Sequence, residues 1–589
     1  VYPVKNPRRL LISLFAPFAL FVAAMTSVSL AGAGPSVILG KWHGSLQTAA
    51  GTFALELSIE QNAAGTLSGH LESVDQAPGK LIAVTNLDFQ NDRLAFEIAS
   101  ISARFDGHFD REHDEFSGSW IQATQQLPLT WVRGPVAAVP AIDGLDGVRR
   151  ATALPSPTPA QAPRDAASES SVLMVAEDRT KLSGRTIDIH YVVISATTRT
   201  SKDPIFLVAG GPGQSVIKIG PSSIPGLVPD RDRDVVMVDQ RGTGESHPLA
   251  CNMFPTGADA FRAIYPLDII AACRSRLAAT SDLSAYGTDA AADDLNDIRL
   301  RLGYRRIVLV GDSYGTTVAL DYVRRHGESV AAAILAGVAP PGPLNMARGA
   351  QTALDDLERR CKAEAACSAA FPQFGAEFQT LLIRAKNGGI PVKGGVISFD
   401  VLVERMRDAL YSESVAAYIP MIVHRAAHGD PQPLAQLVSA LSNQIPGSLA
   451  TGMFLSVTCP EDMAFMTPGD VAKDSANTFL GDARFREQQA ACRVWNVKSV
   501  GHSFLDPIRS DVPVLMISGE DDPATPPRYG AEALHYLPNG RQVIVPHAGH
   551  FTGSSCVDSI KRQFLGTYDV RSLDITCLQS GQRLPFVTS

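Results

Sequence analysis

Three rhythms of apolar and polar positions follow one another along the chain. From residue 40 to 134 the two kinds alternate with a period of two. In "TFALELSIE", Phe53, Leu55, Leu57 and Ile59 share one face, as in a half-buried strand. "RLAFEI", "ARFDGHF" and "FSGSWIQ" repeat the pattern, with Gly65, Gly69, Gly107 and Gly118 at the expected turns or bulges. This rhythm predicts a small antiparallel β-domain, a barrel or a sandwich. Trp42, Trp120 and Trp131 are expected to pack in its core rather than around a ligand. Residues 135–168, with "PVAAVPAIDG" and "LPSPTPAQAPRDAAS", lose the periodicity and are rich in Pro, Ala and Ser, which predicts an extended linker.

From residue 169 short apolar runs alternate with helical segments. "SVLMVAED" and "TIDIHYVVISA" read as a leading hairpin. "DPIFLVAGG", "RDVVMVDQRG", "RRIVLVGDS", "VAAAILAGVAP", "VPVLMISGED" and "RQVIVPHAG" are nearly continuous apolar runs that end near Gly or an acid. Runs of that kind mark strands covered on both faces, hence a parallel sheet in an α/β domain. Functional residues then belong just beyond the carboxyl ends of those strands. Between residues 343 and 510 the alternation lapses, and "ALDDLERRCKAEAACSAAF" and "VLVERMRDALYSESVAAYIPMIVHRAAH" are amphipathic and helical. The reading is an α/β core of residues 169–342 and 511–589, roofed by a helical cap of residues 343–510 and preceded by the β-domain.

Composition narrows the class. At 589 residues the chain is expected to hold two or more domains. With 45% apolar and 19% charged residues it is an ordinary globular protein. A formal charge of −8 and the lack of a basic run argue against a nucleic-acid partner. At the amino end, basic "VKNPRR", apolar "LLISLFAPFALFVAAM" and small "SLAGAG", where Ala31 and Ala33 fit A-x-A cleavage, predict a signal peptide over residues 1–33. Pro17 interrupts the apolar run and no charged stop follows, so export to the periplasm or medium, without stable membrane insertion, is expected. The eight cysteines, all beyond residue 250, fit an oxidising compartment. Neighbours are expected to pair, as Cys251–Cys273, Cys361–Cys367, Cys459–Cys492 and Cys556–Cys577, although spacing alone does not fix connectivity. No C-x-x-C pair occurs, so a zinc site is not expected.

The candidate chemistry starts at "VLVGDSYGTTVALDYVRRH", where an apolar strand meets a helix at Ser313. Gly311 and Gly315 flank the serine at minus two and plus two, as in the G-x-S-x-G elbow that exposes a nucleophile beside a helix start. "GEDDPATPP" and "HAGHF" follow later strands, so the chain order is serine, acid, histidine. Asp522, before the turn-stiffening Pro523, is the expected acid, with Asp521 as runner-up; His550, after Gly549, is the expected base, with His547 as competitor. An oxyanion hole would take the backbone N–H of Tyr314 and one from "VAGGPGQS", assigned to Gly211. That loop matches neither G-x-G-x-x-G nor the nucleotide-binding pattern ending in G-K-[ST].

Taken in order, "GGPGQS", "VMVDQRGTGES", "GDSYGTTVALDYVRRH", "GEDDPATPP" and "GHF" resemble the prolyl-aminopeptidase and tripeptidyl-aminopeptidase branch of the α/β-hydrolases, over roughly residues 170–589. The resemblance implies a serine exopeptidase without metal or organic cofactor, acting on peptides with free amino termini. Prolyl aminopeptidases commonly carry His before G-G-P-G; Ala209 stands there, which shifts the likeness toward the tripeptidyl type. Such an enzyme must hold a protonated α-amine, and the resemblance suggests Glu461 in "SVTCPED", beside Asp462. In "DQRGTGES", Asp239 and Arg241 are expected to brace the loop, with Glu245 a weaker amine candidate. The alternative enzyme is a carboxylesterase or other acyl hydrolase with the same triad; a non-catalytic binding protein is a third reading, against which the intact triad speaks.

Overall fold

The computed structural model describes residues 38–133 and 168–588, apart from breaks at 49–50, 63–65, 74–80, 91, 102, 111–114, 123–124, 182–183, 198–201, 255–257, 345, 445–448 and 581–582. The expected signal peptide and the expected linker, up to residue 167, lie outside the described residues. The chain divides into two units, at residues 1–140 and 141–589.

In the first unit eight strands run Gly40–Thr48 (β1), Gly51–Gln61 (β2), Leu67–Ser73 (β3), Ile82–Gln90 (β4), Arg93–Ile98 (β5), Ala103–Asp110 (β6), Glu115–Gln122 (β7) and Gln125–Arg133 (β8). Each pairs antiparallel with the next, and β1 pairs with β8 to close a barrel, not a sandwich. Period-two alternation turns Leu55, Leu57 and Ile59 inward, with Leu94, Phe96 and Phe105. Trp42, Trp120 and Trp131 are buried among them, and Trp42 Nε1 donates to the Ile38 carbonyl at 2.8 Å. Gly107 faces Gly118 across β6 and β7, where a Cβ on Gly118 would lie 2.2 Å from the Asp106 carbonyl oxygen. Side chains fill this interior as a core.

The second unit is built on a sheet of eight strands: Ser168–Ala176 (β9), Thr186–Ile194 (β10), Ile205–Val208 (β11), Val235–Val238 (β12), Ile307–Asp312 (β13), Val330–Ala336 (β14) and, after a small hairpin of Ile390–Val392 (β15) and Gly395–Ile397 (β16), Val514–Gly519 (β17) and Gly540–Val545 (β18). The order across the sheet is β18-β17-β14-β13-β11-β12-β10-β9. The six strands from β18 to β12 are parallel, and β9 and β10 form the antiparallel leading hairpin. Both faces are covered: Phe206, Val236 and Leu309 point into one apolar cluster, while Leu207, Met237 and Val308 point into another. This is why those strands carry unbroken apolar runs.

The helical stretch divides its packing between two cores. Helices Ala347–Ala363, Phe374–Lys386, Phe399–Ala409, Ile419–Ala427 and Gln432–Gln444 enclose a separate apolar cluster, which also takes in Phe261 and Phe586. Helices Thr451–Glu461 and Ala483–Trp495 join the cluster under the sheet instead, through Met453, Leu455, Val457, Ala491 and Trp495. Thr451–Glu461 is buried on every side. Four disulfides join the neighbouring cysteines: Cys251–Cys273, Cys361–Cys367, Cys459–Cys492 and Cys556–Cys577. Each stabilises the fold by roughly 2–4 kcal/mol. Among the described residues no helix is long and apolar enough to cross a membrane.

Candidate active site

Strand β13 ends at Asp312, and the helix Tyr314–His326 begins after a single intervening residue. Ser313 occupies the joint at φ 55° and ψ −125°, a left-handed conformation that costs a residue with a side chain about 1–3 kcal/mol. Its amide donates to the Ala336 carbonyl at 2.8 Å, and its carbonyl accepts from Thr316 N at 2.8 Å. The flanking glycines are there because nothing else fits. A Cβ on Gly311 would lie 2.5 Å from the Gly315 carbonyl oxygen, and one on Gly315 would lie 2.3 Å from that of Val208.

The loop after β11 runs beside this turn: a Cβ on Gly210 would be 3.0 Å from Cβ of Ser313. Gly211 and Gly213 have φ of 110° and 107°, which suit glycine, and the Gly213 carbonyl accepts from Ala450 N at 2.9 Å. Tyr314 sits in the first helical turn, where amides lack intrahelical acceptors and the helix dipole favours negative charge. The next loop is a brace. Asp239 accepts from Ser215 Oγ at 2.8 Å, and Gln240 Nε2 donates to the Ala209 carbonyl at 2.9 Å. Arg241 grips Asp294 through two bonds of 2.6 and 2.7 Å. Glu245 is largely exposed and lies 3.4 Å from Nδ1 of His190, outside the cavity.

Beyond β17, Asp522 is buried and receives the amides of Ala524 and Thr525 and the hydroxyl of Thr525, each at 2.8 Å. Nδ1 of His550 donates to its second oxygen at 2.8 Å, and Thr525 Oγ1 lies 3.1 Å from the same nitrogen. Burial pushes the Asp522 carboxyl up, but the His550 charge and this set of donors overcome it and hold the group below the usual range. Asp521 turns away: burial and then the neighbouring Asp356 and Glu520 raise it to about 7. His547 also turns away, with Nδ1 3.2 Å from Glu520. The His550 ring packs 4.9 Å from the ring of Tyr411. A Cβ on Gly337, the residue after Ala336, would lie 3.0 Å from Cε1 of His550, so the ring stands over the strand ends that hold Ser313.

Ser313, Gly211 and Tyr314 open into a cavity of about 180 Å³, whose lining also includes Phe454, Glu461, Asp462, Arg405 and Tyr411. Glu461 is buried, and its two oxygens accept from the amide of Thr288, at 2.7 Å, and from its hydroxyl. Desolvation drives the Glu461 carboxyl well above its ordinary value, against the Thr288 bonds, and Asp462 adds to the rise. Asp462 is itself pushed up to about 8 by burial, with Arg484 opposing. Thr525, Thr288 and the ion cluster of Glu404, Arg405, Arg407, Asp408 and Arg484 were beyond sequence reasoning. Arg407 bonds Glu404 and Asp408 at 2.7 Å each, and Arg484 also reaches Glu404. The signal for Thr525 was its place three residues after the acid, within the same turn.

Fold and site together define an α/β-hydrolase with a serine, histidine and aspartate at its strand ends. A family model described as "alpha/beta hydrolase fold" matches residues 203–384, and one described as "TAP-like protein" matches residues 477–577. The second unit therefore has the α/β-hydrolase fold, and its carboxyl-terminal part is similar to the TAP-like proteins. It is similar to "Serine protease Hip1" of Mycobacterium tuberculosis, with 25% identity over 415 residues, 60% of this chain and 77% of that protein. It is also similar to "Proline iminopeptidase" of Neisseria gonorrhoeae, 28% identical over 151 residues, 26% of this chain and 37% of that one.

Proposed function

We propose that the chain is an exported serine aminopeptidase that removes residues or short peptides from free peptide amino termini. Ser313 attacks the scissile carbonyl while His550 takes its proton and then delivers it to the leaving amine. Asp522 fixes the imidazole with Nδ1 protonated, which leaves Nε2 to face the serine. The amides of Gly211 and Tyr314 receive the oxyanion. Water activated by His550 then releases the acyl group. The substrate ammonium sits between Glu461 and Asp462.

One observation supports the exopeptidase reading above the rest: the cavity lined by Ser313 is also lined by the adjacent carboxyl groups of Glu461 and Asp462, both raised by desolvation. Buried acids are costly unless a cation joins them, and a protonated α-amine is the cation that a peptide terminus offers. The names of both relatives support peptidase chemistry. Four disulfides and the amino-terminal pattern support action outside the cytoplasm.

The test compares peptide anilides that carry a free amine with their N-acetylated forms and with simple acyl esters. The expected result is rapid cleavage of the free-amine anilides and little of the blocked ones. Equal rates on blocked and free substrates, together with faster ester cleavage, would make the chain an esterase.

A further inference from the structure

The sequence lacks C-x-x-C pairs, but a different metal-ligand spacing lies in the cap at "HRAAH". His424 and His428 are one helical turn apart, at the end of the helix Ile419–Ala427, and so share a face. The neighbouring helix Phe374–Lys386 turns Glu377 toward them. We infer that Glu377, His424 and His428 form a binding site for a borderline divalent transition-metal ion, of which zinc is the representative.

The geometry fits the ion closely. Zinc held by nitrogen and carboxylate oxygen at ~2.0–2.1 Å has tetrahedral edges of about 3.3–3.4 Å between ligand atoms. Here Nδ1 of His424 lies 3.0 Å from Oε1 of Glu377, and Nδ1 of His428 lies 3.7 Å from the same oxygen. All three donor atoms fall within 4.8 Å of one another, so closing onto tetrahedral edges takes side-chain movements of at most about 1.4 Å, the largest being a turn of the His428 ring. Nδ1 of His428 now donates to the His424 carbonyl at 2.8 Å. On metal binding both imidazoles carry their proton on Nε2 instead, and each Nδ1 lone pair meets the ion. Two imidazoles and one carboxylate leave a fourth position for water, and His428, 61% exposed in its side chain, gives the ion a way in.

The surroundings are consistent with an ion rather than with a plain surface pair. Glu377 is largely buried, and among the described residues its side chain pairs with the two histidines and with no lysine or arginine. Arg384, on the same helix as Glu377, donates to the carbonyls of Ala426 and Ala427. Phe371 packs 5.4 Å from the His424 ring and limits its rotation. None of the three ligands lines the cavity at Ser313. The site is therefore a clamp between two cap helices, separate from catalysis, and oxygen-preferring cations such as magnesium should not use it.

Isothermal titration of the full chain with zinc chloride tests this, with magnesium chloride as control and with His424→Ala and His428→Ala alongside. The protein should show a saturable site in the micromolar range for zinc and none for magnesium. Either substitution should weaken that site tenfold or more, and zinc should raise the thermal midpoint of the unaltered chain alone. The other eleven histidines are common to all three proteins and cancel in the comparison. Unchanged zinc uptake in both variants, or no saturable uptake by the unaltered chain, overturns the assignment. His428 is exposed, so His428→Ala should keep the native circular dichroism spectrum and the comparison stands.

Discussion

Ser313 is held in its left-handed turn by flanking glycines that admit no side chain and by Thr316, whose amide and hydroxyl both donate to its carbonyl. Ser313→Ala should keep the fold and lower turnover by roughly 10⁵–10⁶-fold, read as the loss of burst and steady-state anilide cleavage. Thr525 gives its hydroxyl to Asp522 and stands against Nδ1 of His550. A bond to a charged group is worth about 1.5–3 kcal/mol, so Thr525→Val should lower kcat by roughly 10- to 100-fold with little change in KM. Asp462 titrates at about 8 because it is buried. Below that pH it is protonated in the free enzyme and cannot pair with an ammonium. The rate on free-amine peptides should therefore rise toward pH 8, then fall once the substrate amine, with its ordinary pKa near ~7.7–8, loses its proton. Asp462→Asn should remove the part of this rise that exceeds the profile for esters, and should raise KM far more than it lowers kcat.

At the scale of elements, the strand–turn–helix unit tolerates no extra atom. Gly315→Ala would set a methyl 2.3 Å from the Val208 carbonyl oxygen and press β11 away from the helix Tyr314–His326. Overpacking of this kind costs about 1–3 kcal/mol, which should appear as a thermal midpoint lowered by several degrees in calorimetry. The elements that carry Ser313, Asp522 and His550 were legible because their signals are local: an apolar run, glycines at fixed offsets, and an acid or histidine just past a strand. The cap residues that line the cavity were not. In "VLVERMRDAL" the charges of Glu404, Arg405, Arg407 and Asp408 read as the solvent side of an amphipathic helix, yet all four are buried. Their partners include Arg484, eighty residues away on another helix, and no periodicity within one element reports such a pairing. Asp462 was visible beside Glu461, but its burial depends on contacts that only the folded cap supplies.

For the whole molecule, the barrel and the hydrolase unit each have a closed apolar core. Residues 38–133, produced alone, should give a cooperative thermal transition and the near-ultraviolet signal of packed tryptophans; a featureless spectrum would contradict this. The change of rhythm near residue 134 marked this division because period two and strand–helix alternation bury residues in incompatible patterns. The split of the helical stretch between two cores left no such mark, since helices facing either core share one periodicity. Its consequence is kinetic. The helix Thr451–Glu461 is embedded under the sheet and tied through Cys459 to Cys492, so the side of the cavity that carries Glu461 is anchored to the core. A peptide then meets a socket already in its final shape, and stopped-flow traces should show uptake in a single second-order phase, with no slow isomerisation before acylation.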